Sequence, residues 1–230
     1  MLKNPFRGLT KREWLLWLGS LTVVIASNIV SNNTNLITLA ATVIGVTALI
    51  FIARGDVWGQ ILTVIFSLLY SVTSWQFQYY GEIITYLGMS APIAAASVVT
   101  WLKHPYKEGE NEVKIANLSR RGLLLLLALT AAVTFSFLFI LKALGTANLA
   151  VSTISITTSF LASSLMMLRN SYYAVAYAAN DVVLILLWSL ASLHSSRYLS
   201  VVICFCAFLA NDLYGFFCWR AMEKRQTAGH

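Results

Sequence analysis

Two asparagine–aspartate pairs concentrate the chemical interest of this sequence. Asn180-Asp181 and Asn211-Asp212 each fall inside a long apolar run. A polar or ionisable group there costs several kcal/mol unless it faces a cavity or a partner, so it marks function by default. Asn180, Leu184 and Trp188 recur every four residues, so on a helix they share a face that presents an amide and an indole, with Asp181 beside it. Asn211 and Gly215 are likewise four apart, flanked by Asp212 and Tyr214, and the glycine admits close approach by another helix or a ligand. Earlier in the chain, Ser67, Ser71, Ser74 and Gln78 fall on one stripe, whose end is surrounded by Trp75, Gln76, Tyr79 and Tyr80, with Glu82 following. The candidate substrate-binding set is therefore Asn180, Asp181, Trp188, Asn211, Asp212 and Tyr214, with Gln76, Gln78, Trp75 and Tyr79 from the earlier stripe.

The arrangement lacks the parts of a reaction centre. His104, His194 and His230 sit in loops or at the tail, and there is no glycine-rich phosphate loop and no His-Glu-x-x-His. Asp181 and Asp212 could act as paired acids in a membrane-embedded enzyme, but no nucleophile, metal set or cofactor motif accompanies them. We assign no catalytic residue, metal or cofactor. Cys204, Cys206 and Cys218 are odd in number and unpaired in spacing, which argues for small buried hydrophobes. The serines and threonines, Thr38, Thr42, Ser152, Ser155 and Ser159 among them, are expected mostly to bond their own backbone or join helices. Trp14, Trp101 and Trp219 stand near segment ends and read as interfacial belt residues.

These groups must be positioned by helices in a bilayer. The chain is 58% hydrophobic and 11% charged, against about 25% charged in a soluble domain. A crossing helix needs about 20 apolar residues, and eight such runs are present, at about Trp14–Val30, Leu36–Ala53, Val57–Gln76, Ile83–Leu102, Gly122–Leu141, Leu149–Leu168, Tyr172–Ser192 and Tyr198–Trp219. They are too long and too unalternating for barrel strands. The net charge of +7 is not a nucleic-acid signature, because the basic residues cluster at the ends of apolar runs. With the N-terminus inside, fourteen of the sixteen lysines and arginines fall on the cytoplasmic side, leaving Lys142 and Arg197 outside. An even number of spans returns both termini to that side, as in a multi-pass protein of a bacterial-type cytoplasmic membrane. The first run is long and lacks a convincing cleavage site, so it reads as a helix and not a signal peptide.

Transporters are often built from internal repeats with the substrate between them. At a fixed offset, Thr38 aligns with Thr153, Thr42 with Thr157 and Arg54 with Arg169; late tryptophans follow at Trp75 and Trp188, and both third spans end in tryptophan near a basic residue. The expected organisation is an extra N-terminal helix (1–34), a first three-helix unit (35–103), a loop and connector helix (104–147), a second, parallel three-helix unit (148–220) and a tail (221–230).

Three stretches resemble a known family. Asn180 to Trp188, Asn211 to Arg220, and Tyr80-Gly81-Glu82 followed by Pro92 and Trp101 are similar to segments of the PnuC vitamin transporters. After Tyr80-Gly81-Glu82 that family often has an asparagine, absent from 83–89 here. The resemblance implies a three-plus-one-plus-three core like that of the SWEET sugar transporters, a homotrimer, and facilitated diffusion of nicotinamide riboside by alternating access, with thiamine or riboflavin as alternative cargoes. Nicotinamide riboside is a flat cation bearing an amide and hydroxyls, and thiamine is also a cationic aromatic. The Trp188 face would attract the cation, the amides of Asn180, Asn211, Gln76 and Gln78 would meet its polar groups, and Asp181 or Asp212 would offset its charge.

Overall fold

The computed structural model describes residues 3–30, 35–76, 80–146 and 148–228. The polar turn at 31–34, Gln78 and Tyr79 lie outside the described residues, as does the side chain of Gln76. Among the described residues eight helices are long and apolar enough to cross a membrane: α1 (Lys11–Val30), α2 (Leu36–Ala53), α3 (Val57–Gln76), α4 (Gly81–Lys103), α5 (Arg120–Ala143), α6 (Leu149–Met167), α7 (Tyr173–Ser192) and α8 (Leu199–Ala228). The protein is an all-helical, multi-pass membrane protein.

The helices start where side chains can cap them. Thr10 and Glu13 form a capping box at α1, the Thr10 N–H donating to Glu13 Oε2 at 2.6 Å and the Glu13 N–H to Thr10 Oγ1 at 3.3 Å. Asn35 Oδ1 accepts from the Ile37 N–H at 2.9 Å ahead of α2, and Ser119 Oγ from the Gly122 N–H at 3.1 Å in α5.

Two expectations are corrected. The fourth span is not a continuous α-helix: residues Tyr86–Ser90 form a π turn in which the Ala91 N–H reaches the Tyr86 carbonyl. Pro92 has no N–H to donate, and the wider turn just ahead of it absorbs the lost bond. The last helix does not end at Trp219 but continues to Ala228, because its polar end is engaged. Gln226 Oε1 accepts from the Ile115 N–H at 2.8 Å, Gln226 Nε2 donates to Glu112 Oε1 at 2.9 Å, and Arg225 pairs with Glu112.

The loop held this way straps the basic end of the molecule. Its Val113 N–H donates to the Gly55 carbonyl at 2.9 Å, and its Ala116 N–H to the Arg169 carbonyl at 3.0 Å. The turns so joined, α2–α3 and α6–α7, follow one hydrogen-bond pattern. Gly55 and Arg169 are left-handed, at φ 66° and 60°, and their N–H groups return to the Ile52 and Met166 carbonyls. Asp56 and Asn170 then accept from the Trp58 and Tyr172 N–H groups at 2.9 and 3.0 Å. The spacing is 114 residues, so the backbone pairs Arg169 with Gly55 and not with Arg54.

Trp101 and Trp219 do not sit in an interfacial belt. Both are fully buried. Trp101 Nε1, at the end of α4, donates to the Met166 carbonyl at 3.2 Å, and Trp219 Nε1, on α8, to the Ile52 carbonyl at 2.8 Å. Their rings lie 5.6 Å apart, and Tyr173 stacks edge-on to Trp219 at 4.6 Å. A side chain at Gly215 would stand 3.1 Å from the Tyr173 hydroxyl, so only glycine gives this ring its full space. Trp14, in contrast, is 37% exposed.

Two outcomes are expected from this packing. Trp219→Phe keeps an aromatic ring but removes the indole donor and leaves the Ile52 carbonyl with its Gly55 bond alone, at a cost of about 0.5–1.5 kcal/mol; thermal unfolding in detergent should show a lowered Tm, and an unchanged Tm would remove the bond from the account. At the strap, burial raises the Asp56 carboxyl above 3.8 against hydrogen bonds from Trp58 and Asn111. Its contribution to stability is therefore complete below 3.8 and lost as pH rises through the raised value. Asp56→Asn should flatten that dependence on the acid side of a Tm-against-pH curve; an unaltered curve would contradict it.

Candidate substrate site

Polar side chains in a bilayer must find partners or water. Most hydroxyls here do so locally: Thr42 donates to the Thr38 carbonyl and Ser71 to the Ser67 carbonyl, each at 2.7 Å. Two that reach another helix meet on α7. Thr158 Oγ1 and Ser159 Oγ of α6 donate to Asn180 Oδ1 at 2.8 and 3.0 Å. With its oxygen fixed by two hydroxyls, the Asn180 amide has its N–H groups left as donors.

Asn180, Asp181 and Leu184 line a central cavity between α2, α3 and α4 on one side and α6, α7 and α8 on the other. Asp212 of α8 joins them there, and its carboxyl meets that of Asp181. Ser67 Oγ and Asp181 Oδ2 are buried on the wall of this cavity without a hydrogen-bond partner. The cavity is small, about 80 Å³, which is room for water (about 30 Å³ a molecule) and not for a nucleoside.

Beyond it, toward the end opposite the basic side, lies a larger space. Phe66 and Phe208, with ring centroids 6.0 Å apart, separate the central cavity from a second small one that Trp188 and Tyr198 also line. Trp188, two turns along α7 from Asn180, is 5% exposed and lines a cavity of about 510 Å³ between the ends of α4, α5, α6 and α7. That volume lies within the roughly 300–1,000 Å³ of small-molecule sites. Tyr198 lines it too, its ring 5.7 Å from Trp188.

Of the sequence-derived set, Asn180, Asp181, Asp212 and Trp188 thus face cavities. Three do not. Asn211 is 1% exposed and spends its amide on helix joining: Nδ2 donates to Ser20 Oγ of α1 at 2.9 Å and to the Ala207 carbonyl at 2.8 Å. It lies next to Asp212 in sequence, which turns it about 100° away on the helix. Tyr214 lies toward the basic end, near Thr10, Glu13 and Cys218. Trp75 is 66% exposed, unlike Trp188. Gln78, Tyr79 and the Gln76 side chain lie outside the described residues.

Sequence reasoning missed Glu82, Tyr86, Tyr177 and Tyr198 as cavity walls. For Tyr86 the signal was Pro92, which forces the π turn that carries it. Glu82 was visible as a carboxylate at the start of an apolar run.

The split between amide roles is testable. Asn180→Ala should weaken substrate affinity at least tenfold by titration calorimetry with little change in Tm. Asn211→Ala should lower Tm by several degrees and leave affinity near that of the parent. The opposite assignment of effects would exchange the two roles.

Comparison with known proteins adds a second line of evidence. A family model described as nicotinamide mononucleotide transporter matches residues 35–221. The chain is 28% identical to the nicotinamide riboside transporter PnuC of Neisseria mucosa, over 98% of this chain and 87% of that protein. It is 21% identical to the protein of the same name from Haemophilus influenzae, over 97% and 96%. The crystal structure of the vitamin B3 transporter PnuC is similar at a TM-score of 0.82 and 25% identity, covering 95% of this chain and 94% of that one.

Proposed function

The chain belongs to the nicotinamide mononucleotide transporter family, and we propose that it carries nicotinamide riboside across the membrane by facilitated diffusion. The observation that carries this reading is the α7 face: Asn180 lines the central cavity and Trp188 the outer one, so one helix joins the two spaces that a solute must occupy in turn. The names of the two relatives and of the similar structure support the choice of cargo.

The pyridinium of the riboside would meet the Trp188 face, an attraction worth about 2 kcal/mol when desolvated. The Asn180 N–H groups would donate to the carboxamide oxygen or a ribose hydroxyl. Toward the basic end, Trp101, Trp219, Tyr173 and the strap close the path, so entry through the outer cavity and release past the tryptophans would require alternating access. The matching turns 114 residues apart, and the two tryptophans that reach across, support the reading of two parallel three-helix units joined by α5 and preceded by α1. The charge bias supports a cytoplasmic-membrane location with both termini inside, and we include the homotrimer that the family resemblance implies.

Liposomes reconstituted with the purified protein should take up labelled nicotinamide riboside saturably and unchanged, with no nucleotide or ion gradient supplied. Absence of saturable uptake, or appearance of a product, would overturn the proposal.

A further inference from the structure

Building on the riboside-transport reading above, we propose that Glu82 is the residue that selects for a positively charged cargo, acting in the outer cavity before the solute reaches α7's asparagine. Glu82 lies in the first turn of α4 and lines the 510 Å³ cavity that Trp188 also lines. No lysine or arginine is among the described residues of that wall, and the three described salt bridges join other groups near the basic end of the molecule. Its carboxyl shares the wall with Thr85, Asn148, Ser152 and His194 and with the rings of Trp188 and Tyr198, and no described lysine or arginine stands there to neutralise it. The backbone that carries it is fixed: a Cβ on Gly81 would stand 2.9 Å from the Leu141 side chain, so the first turn of α4 is pressed against the end of α5.

The aspartates are less suited to this task. Asp181 and Asp212 already meet each other, and they face a cavity of about 80 Å³. Glu82 faces the space that can hold a nucleoside, with the rings of Trp188 and Tyr198 in the same wall. A carboxylate on one side and an indole face on another is a cage for a flat aromatic cation, and at low local dielectric the charge of Glu82 discriminates strongly between a pyridinium and its uncharged analogue.

Nicotinamide riboside and its 1,4-dihydropyridine form differ by the charge on the ring while sharing carboxamide and ribose, so they are the probes. Uptake of each into liposomes is measured for the parent protein, Glu82→Gln and Glu82→Asp. The parent should prefer the cation. The cation-to-neutral ratio should fall about tenfold in Glu82→Gln, the scale of one lost charge contact, and be largely kept in Glu82→Asp. An unchanged ratio in Glu82→Gln, or equal losses for both forms, overturns the selecting role. A parent protein that admits both forms equally overturns it while leaving transport standing, and one that admits neither overturns the transport reading itself.

Discussion

Two indole N–H groups, one at the end of α4 and one within α8, each reach the last carbonyls of another helix and hold the basic end of this molecule together. Trp101 of α4 bonds the Met166 carbonyl of α6, and Trp219 of α8 bonds the Ile52 carbonyl of α2. In lipid there is little hydrophobic gain from bringing helices together, since acyl chains are as apolar as leucine. Association must come from close packing and from engaging polar groups. The carbonyls at a helix end are such groups: Ile52 and Met166 accept the Gly55 and Arg169 N–H groups and keep a second lone pair for an indole. An indole donor from another helix fixes how α4 meets α6 and how α8 meets α2, at the end away from the larger cavity.

The remaining polar chemistry divides according to whether it is consumed by the fold. The Asn211 nitrogen and most serines and threonines are consumed: their donors find carbonyls or hydroxyls on the same or another helix, although Asn211 Oδ1 stays buried without a partner. Asn180 is half consumed, its oxygen held by Thr158 and Ser159 and its nitrogen left to donate. Ser67 Oγ and Asp181 Oδ2 are not consumed, and both stand on the wall of the central cavity. Groups left unsatisfied in a preformed cleft are what a polar solute can bind, and the partner hydroxyls keep them aimed.

The fold was largely legible because bilayer thickness and backbone satisfaction leave few choices. The spans follow from apolar length alone, and the expected ends of α2 and α3 coincide with the observed ones. What a hydropathy reading cannot see is tertiary use of a helix end. Trp101 and Trp219 have the sequence context of belt residues, yet they are buried because carbonyls from the other half lie within reach. The same blindness hid the continuation of α8 to Ala228, which depends on Gln226 meeting the strap. At the site, the four-residue spacing on α7 picked out Asn180 and Trp188, both buried in the structure, one on the central cavity and one on the outer. Adjacency misled on α8, where Asp212 faces the cavity and Asn211 faces α1. The partial burial of Glu82 among helix ends required coordinates, because its neighbours on α5, α6 and α7 are remote in sequence.

The most direct test is an experimentally determined structure of the protein with nicotinamide riboside bound. The account places the pyridinium against the Trp188 ring, with the Asn180 nitrogen within about 3.2 Å of a ligand oxygen and Asn211 still bonded to Ser20. Ligand density away from the α7 face, or an Asn180 amide that keeps only its contacts to Thr158 and Ser159, would contradict it.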